Sequence, residues 1–552
     1  MAADRPYRWE KSYPPGVRWD AAIETMTLGA LMDRAAAYGA RAAIEHRGRV
    51  LTYDALARRS DALGAALLAR GLGVGQAIAL YLPNTPAHPI AFFAAAKAGA
   101  PIVPLSPLDA ERTLLFKLRD SGARTLVTVD APSLMAMARK LLDAGAVDRV
   151  LVAGEAPVAR EGERILPLAD LLAEGAMLPR RWPPIAAADV ALIQYTGGTT
   201  GLPKGVMLSH ANLTAAVAIY DEWTRGQGLL RPGEERVICV LPLFHIYGLT
   251  VVLLRHLNQG NLILLHERFS AEAVLDAIER ERATILNGVP TMWIALAAHP
   301  GIERRDLSSL GHISSGAAPL PVEVERQIER LTGRRLGGGW GMTETAPAGT
   351  NLPHGADRPG SIGLPLPGIV VEVVAPDDPR RVLPPGEIGE LRVKGANVTA
   401  GYWNNAAESA AAFVDGFLLT GDLGRMDEDG FFYLAGRKKE MIISAGFNVY
   451  PRAVEEAIYE HPAVAEAIVI GIPDRYRGEA AKAFVTLKPG AAPFTLEALR
   501  AFLADKLGRH ELPAALEFRD ALPRTAVGKL SRKELIEEEA NKAAVAAAAE
   551  EG

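Results

Sequence analysis

One cysteine, Cys239, stands in a chain of 552 residues. A single thiol excludes an internal disulfide and any zinc or iron–sulfur site built from several thiolates. Beside Val237, Ile238 and Val240 it reads as a small buried hydrophobe. No charge of one sign dominates: 60 basic residues face 65 acidic ones, for a net charge of −5. That balance supplies no electrostatic reason to bind nucleic acid, and none to bind an acidic membrane by charge alone. Long apolar runs are missing too. Pro89–Ala96 and Leu249–Leu254 end at Lys97 and Arg255, well short of the ~18–20 residues a membrane span needs. The opening Met1-Ala-Ala-Asp-Arg-Pro lacks the apolar core of a signal peptide, so the chain reads as cytosolic. No period of ~20–50 residues recurs, which argues against a solenoid. The glycines of Gly337-Gly-Gly-Trp-Gly341 do not have the Gly-x-Gly-x-x-Gly spacing of a dinucleotide-binding dehydrogenase.

What is present is an ordinary globular composition, 49% hydrophobic and 23% charged, long enough for three or four units of ~150 residues. The 53 glycines and 38 prolines call for many turns between buried elements but stay below a low-complexity level. Helical stretches (Ala62–Arg70, Ala91–Gly99, Ala131–Ala144) alternate with short apolar strands (Ala77–Leu82, Pro101–Pro104, Thr125–Val129, Arg149–Val152). This alternation predicts a mainly parallel, two-sided sheet. After about residue 350, strands at Gly368–Val374, Gly389–Lys394 and Phe431–Ala435 are joined by turns such as Pro384-Pro385-Gly386, a β-rich subdomain. Past the charged break Gly436-Arg-Lys-Lys-Glu440, a helix (Arg452–Glu460), two strands (Ala465–Ile470, Ala480–Leu487), a second helix (Leu496–Leu507) and a closing helix (Ser531–Ala540) suggest a separate small domain. The fold class is therefore α/β: a large N-terminal region of layered α/β subdomains (1–437) with a β-rich subdomain, a small α+β C-terminal domain (438–540), and an Ala-rich tail (541–552) expected to fray.

Residues 195–205 read Tyr-Thr-Gly-Gly-Thr-Thr-Gly-Leu-Pro-Lys-Gly. Glycines admit close approach of backbone N–H groups, threonine hydroxyls add donors, and Lys204 adds positive charge. The apolar run Val190–Ile193 precedes the segment as a strand. This is the chemistry of a phosphate-holding loop, although Pro203 stands where a Walker A loop requires glycine.

The same segment, continuing Val206-Met-Leu-Ser-His210, resembles the signature of the adenylate-forming acyl-CoA synthetases, luciferases and peptide-synthetase adenylation domains. Further motifs of that family follow in order: Leu241-Pro-Leu-Phe-His-Ile-Tyr-Gly248, Ser315-Gly-Ala-Ala-Pro319, Gly339-Trp-Gly-Met-Thr-Glu-Thr345, Thr420-Gly-Asp-Leu423, Gly436-Arg-Lys-Lys-Glu440 and Pro523-Arg-Thr-Ala-Val-Gly-Lys529. They span about residue 30 to 535, and the small C-terminal domain corresponds to the family's mobile lid.

The resemblance implies ATP, Mg²⁺ and CoA, and a carboxylic acid activated as its adenylate before transfer to the thiol. Thr196, Gly197, Gly198, Thr199, Thr200 and Lys204 would hold the β- and γ-phosphates. Thr343 would bond the α-phosphate and Glu344 would hold Mg²⁺, a hard cation that prefers oxygen ligands. Asp422 would accept from the ribose hydroxyls, with Arg437 beside it. Gly316, Ala317 and Ala318 would lie against the adenine, and Trp340, followed by Gly341 and Met342, would stack on it. The family's commonest form has Tyr in place of Trp340, and an indole lacks the phenolic hydroxyl. Lys529 would bridge carboxylate and α-phosphate during adenylation, Lys439 would be the hinge, and Gly446 would leave a path for the pantetheine arm.

His245, Tyr247, Gly248, Val289 and Gly316 would line the acyl pocket, with Pro290 and Met292 as further candidates. None is an Asp or Lys that could pair an amino acid's charges, and the 23 residues after Lys529 are too few for a carrier domain; both argue against peptide-synthetase adenylation. The opening Trp9–Val17 and the Gly-Trp-Gly-Met-Thr-Glu form look most like bacterial medium- or long-chain fatty-acid CoA ligases, a group that includes dicarboxylate ligases. Arg255 and His256 could reach a distal carboxylate, but a surface position is expected for both. The alternatives are an acyl-AMP ligase delivering to a carrier protein, and a dicarboxylate or aryl-acid CoA ligase. A luciferase-like oxygenase would need light emission with a luciferin, and a non-enzymatic relative should lack Glu344 or Lys529, both of which are present. A peripheral membrane contact and a homodimer stay open.

Overall fold

A computed structural model describes residues 5–154, 158–196, 203–316, 322–444, 447–474, 477–525 and 529–550. Gly197, Gly198, Thr199, Thr200, Ala317, Ala318 and Gly446 lie outside them. The strands expected to form one mainly parallel sheet do so, and a second sheet is built from strands outside that alternating stretch. The first runs, in spatial order, Ile165–Pro167, Arg149–Ala153, Thr125–Val129, Ile78–Tyr81, Ile102–Leu105, Val190–Thr196 and Lys204–Ser209. Every neighbouring pair is parallel except the last, which is antiparallel.

The second sheet has a parallel centre: Ala42–His46, Leu262–Leu265, Arg236–Cys239, Ile285–Gly288, His312–Ser315 and Gly337–Trp340. Beyond Trp340 it turns antiparallel through Thr350–Asn351, Ser361–Pro365, Phe432–Arg437, Phe417–Met426, Gly389–Lys394 and Val370–Val374. This is the β-rich part anticipated after residue 350, continuous with the parallel half by hydrogen bonding.

The helix Ala87–Ala98 is apolar all round and buried along its whole length, as a helix wedged between layers must be. Lys97 near its end is 3% exposed and donates to Asp33 and Asp61, each at 2.5 Å. The helix His210–Gly226 starts at a capping box: Ser209 Oγ accepts from the Asn212 N–H, and Asn212 Oδ1 accepts from the Ser209 N–H. That cap ends the strand carrying Lys204.

The C-terminal domain is its own α+β unit, with strands in the order Phe447–Val449, Ile442–Ser444, Gly478–Leu487, Val464–Asp474, and Ala515–Phe518 parallel to Gly478–Leu487. Its apolar core centres on Val454, Ile458, Val485 and Leu499.

Two expectations need correction. The closing helix does not stop at Ala540 but runs Lys533–Glu550, because alanine has the highest helix propensity and nothing interrupts the run. Arg255 and His256 are not on the surface but 3% and 0% exposed. Arg255 Nε reaches Asp221 Oδ1 at 3.1 Å and its Nη2 donates to Thr224 Oγ1 at 2.6 Å. An internal partner carboxylate makes burial of the guanidinium tolerable. The polar end that follows Leu254 therefore turns inward.

Candidate active site

The candidate ribose end is built where two antiparallel strands bring Asp422 directly opposite Arg437. Arg437 Nε lies 2.8 Å from Asp422 Oδ1, and the Trp340 indole Nε1 donates to Asp422 Oδ2 at 2.8 Å. Thus the residue replacing the family's commonest Tyr takes up the other oxygen of the carboxylate. Asp422 is 5% exposed; burial pushes its pKa up, and Arg437 and the indole N–H oppose that rise. Trp340 closes the strand Gly337–Trp340 and its ring lies on Gly349, where a Cβ would stand 2.5 Å from Cε3. Gly341 has no room for any side chain, since its Cβ would come within 1.5 Å of the Pro347 carbonyl oxygen.

After Met342 the chain makes a single 3-10 turn, Thr343–Thr345. Thr345 Oγ1 accepts from the Met342 N–H at 3.0 Å, and Asn397 Nδ2 donates to the Thr345 carbonyl at 2.6 Å. The turn leaves Thr343 half-exposed and sinks Glu344 to 7% exposure. Glu344 Oε1 accepts from the Tyr402 hydroxyl at 3.0 Å, and burial pushes the carboxyl pKa up.

Lys204 begins a strand paired with Val190–Thr196, opposite Thr196. Its Nζ sits 5.5 Å over the Tyr402 ring and is ion-paired with Glu408. Tyr402 therefore touches both the loop lysine and the buried carboxylate. Neither Tyr402 nor Glu408 was legible as a site residue. The only signal was the aromatic pair Tyr402-Trp403 after Gly401, which looks like any β-turn closure until the 58-residue gap to Glu344 closes in space.

The acyl candidates gather at the C-terminal ends of the parallel strands. His245 Nδ1 accepts from the Tyr247 N–H at 3.3 Å, which places the ring proton on Nε2. Burial, with Lys529's charge as a lesser cause, drops the His245 pKa to about 3, so the ring is neutral. Gly248 is forced by the Pro242 carbonyl, 2.4 Å from where a Cβ would be. Val289 is buried at the start of the helix Pro290–Ala297. A Cβ on Gly316 would stand 3.0 Å from the Tyr247 ring.

Lys529 arrives from the C-terminal domain. Its N–H donates to Thr525 Oγ1 at 3.2 Å, and Arg524 and Leu530 form an isolated bridge. Burial lowers its pKa to about 8, helped by the positive charge of Arg437 and resisted by Asp422. The ammonium is thus close enough to feel Asp422, Arg437 and His245. Lys438 is tied to the N-terminal region by Glu390 (2.8 Å) and the Pro376 carbonyl (3.0 Å), whereas Glu440 is tied to the C-terminal domain by Arg532 (2.9 Å). Exposed Lys439 stands between the two anchors.

A family profile described as AMP-binding enzyme matches residues 31–403, and its C-terminal domain profile matches residues 453–529. The chain belongs to the AMP-binding enzyme family. The family expectation of an adenylate-forming, AMP-forming acid–thiol ligase holds at the level of enzyme class. Among full-length relatives of this AMP-binding enzyme, a long-chain-fatty-acid–CoA ligase of Bacillus subtilis (strain 168) is 38% identical over 98% of this chain and 99% of its own. A feruloyl-CoA synthase of Amycolatopsis sp is 38% identical over 89% and 95%. The crystal structure of ATP-bound MatB from Rhodopseudomonas palustris superposes with a TM-score of 0.82, at 31% identity over 93% of this chain and 99% of that one. In the AMP-binding enzyme described above, no described helix is long and apolar enough to cross a membrane.

Proposed function

We propose that this AMP-binding enzyme is a cytosolic acyl-CoA ligase working in two steps. The carboxylate attacks the α-phosphorus of ATP, expelling pyrophosphate and leaving an enzyme-bound acyl-AMP. The CoA thiol then attacks the acyl carbon, releasing AMP. What supports this reading is Lys529 of the C-terminal domain, whose pKa, lowered mainly by burial, also reflects the charges of Arg437 and Asp422, and whose own charge helps lower the pKa of His245. An ammonium within the field of both the acyl and the ribose candidates would offset the charge that builds as carboxylate and α-phosphate join.

Asp422 would hold the ribose, Trp340 the adenine, Thr343 the α-phosphate, and Lys204 with Thr196 the outer phosphates. Among the described residues no three His, Cys, Asp or Glu side chains gather into a metal cage. Glu344 instead presents one buried carboxylate with a single oxygen held by Tyr402, a donor set suited to Mg²⁺, which takes one or two carboxylates and completes its shell with water and phosphate oxygens. The cation would neutralise phosphate charge during transfer. Lys439 would be the hinge, with residues 1–437 as the catalytic body and 438–540 as the lid. Gly446 would give CoA its path after rotation.

The acid is read as a medium- or long-chain one, since Val289, Gly248 and Gly316 give the pocket mouth an apolar character. An aryl acid is the second reading, favoured by the feruloyl-CoA synthase relative at the same identity. The test is a panel of short- to long-chain and aryl acids with pyrophosphate and CoA thioester followed together. Stoichiometric appearance of both supports the ligase. Pyrophosphate release that never yields thioester, but charges a carrier protein, would replace it with an acyl-AMP ligase.

A further inference from the structure

Next to the acyl-pocket candidates lies a buried polar cluster. Asn287 and Ser314 are register partners on adjacent parallel strands, so their side chains share a face. Ser314 Oγ donates to Asn287 Oδ1 at 2.6 Å, and the Tyr247 hydroxyl is 3.3 Å from the same Oγ. Two residues further on, each strand delivers a pocket residue, Val289 and Gly316, and the Gly316 N–H donates to the Gly288 carbonyl at 3.1 Å. The Tyr247 ring lies beside Gly316 and its hydroxyl beside Ser314 Oγ, which ties the three polar groups to the acyl candidates.

Asn287 is 2% exposed, yet its Nδ2 has no hydrogen-bond partner. Turning the amide over would let Nδ2 donate to Ser314 Oγ and would orphan Oδ1 instead. In either orientation one strong hydrogen-bonding group is left buried without a partner. Buried polar groups are ordinarily satisfied, and a pocket meant for plain hydrocarbon would be the wrong place to leave one open. A hydroxyl is the ligand group that answers both orientations, because it donates and accepts.

Resting on the ligase reading above, we propose that Asn287, Ser314 and Tyr247 recognise a hydroxyl carried by the acyl group, so that the preferred acid is hydroxylated and its unsubstituted counterpart is the poorer substrate. A site built to hydrogen-bond a substrate hydroxyl rejects the analogue lacking it far more strongly than an apolar pocket rejects one methylene. The hydroxyl could be borne by an aromatic ring or by an alkyl chain; the chemistry at the cluster is the same.

The experiment uses the full-length enzyme with matched pairs: cinnamate against 4-hydroxycinnamate, and medium- and long-chain fatty acids against their hydroxy derivatives. The kcat/KM of the hydroxylated member is expected to exceed its partner's by about tenfold or more in at least one pair. Preference confined to the aryl pair assigns a phenolic acid; preference confined to the alkyl pairs assigns a hydroxy fatty acid. In Asn287→Leu and Ser314→Ala that ratio is expected to collapse toward one, and Ser314→Thr, which keeps the hydroxyl, is expected to retain it. Equal or better turnover of the unsubstituted member in every pair by the unmodified enzyme would overturn the inference and assign the amide to a buried water; this arm needs no variant to fold. If pyrophosphate appears without thioester, the CoA reading fails, while pyrophosphate kinetics across the same pairs still decide the hydroxyl preference.

Discussion

The indole nitrogen of Trp340 donates to Asp422 across 82 positions of sequence, at 2.8 Å. The adenine-stacking candidate and the ribose-binding candidate are therefore one hydrogen-bonded unit. Trp340→Phe keeps a flat aromatic face but strips a buried carboxylate of a donor, a loss of about 1–3 kcal/mol. We expect the KM for ATP to rise several-fold or more with a smaller change in the CoA half-reaction started from supplied acyl-AMP. Unchanged ATP affinity, measured by steady-state kinetics, would show that the bond does not prepare the ribose site.

Lys529 has its pKa lowered to about 8. The bridging role needs the ammonium, so below about pH 8 the lysine is charged and competent. As pH rises through 8 it loses its proton, and kcat/KM for pyrophosphate release is expected to fall. Lys529→Ala should lose mainly adenylation while thioester formation from supplied acyl-AMP largely survives. Lys529→Arg, whose guanidinium stays protonated, should remove the alkaline limb from whatever activity remains. A limb that persists in the arginine variant belongs to another group.

Glu408 is ion-paired with Lys204, the residue proposed to hold the outer phosphates. Both side chains are partly exposed, so the pair is weak and screened by salt. Glu408→Gln is expected to lower the KM for ATP a few-fold, more at low ionic strength than at high. A raised KM would mean instead that Glu408 holds Lys204 in its working position.

Lys97 is buried between Asp33 and Asp61, with its Nζ 5.8 Å from the Trp182 ring centre. Lys97→Ala removes a buried ammonium that two carboxylates share, but Asp33 is 66% and Asp61 27% exposed, so the charges left behind stay partly solvated and the loss is about 1–3 kcal/mol. Thermal unfolding should drop by several degrees, with turnover per folded molecule retained because the cluster is remote from the groups around Lys529.

The layered α/β architecture and the late β-rich region could be read from alternation and turn residues, because hydrophobic period and Gly/Pro punctuation are local properties. Strand Gly389–Lys394 comes out with the bounds the pattern predicts. The division of the parallel strands into two sheets was not visible, since pairing of Ala42–His46 with Leu262–Leu265 is a contact between distant segments. Motifs likewise located Lys204, Glu344, Asp422 and Lys529 as residues, but no local pattern could announce Tyr402 beneath Lys204 or Asn287 beside Ser314.

Arg255 makes the same point in reverse. A charged residue ending an apolar run reads as surface, because an unpaired guanidinium is costly to bury. Asp221, 34 positions earlier, removes that cost. What the chain determines by itself is the kind of chemistry on offer: phosphate-binding types, a buried-carboxylate motif and a lysine near the C-terminus. Only the tertiary structure decides which of these meet, since hydrogen bonds and ion pairs act over a few ångströms while their partners lie tens to hundreds of residues apart. It is that convergence which brings the charge of Lys529 to bear on Arg437, Asp422 and His245, and buries an unpartnered amide beside Ser314.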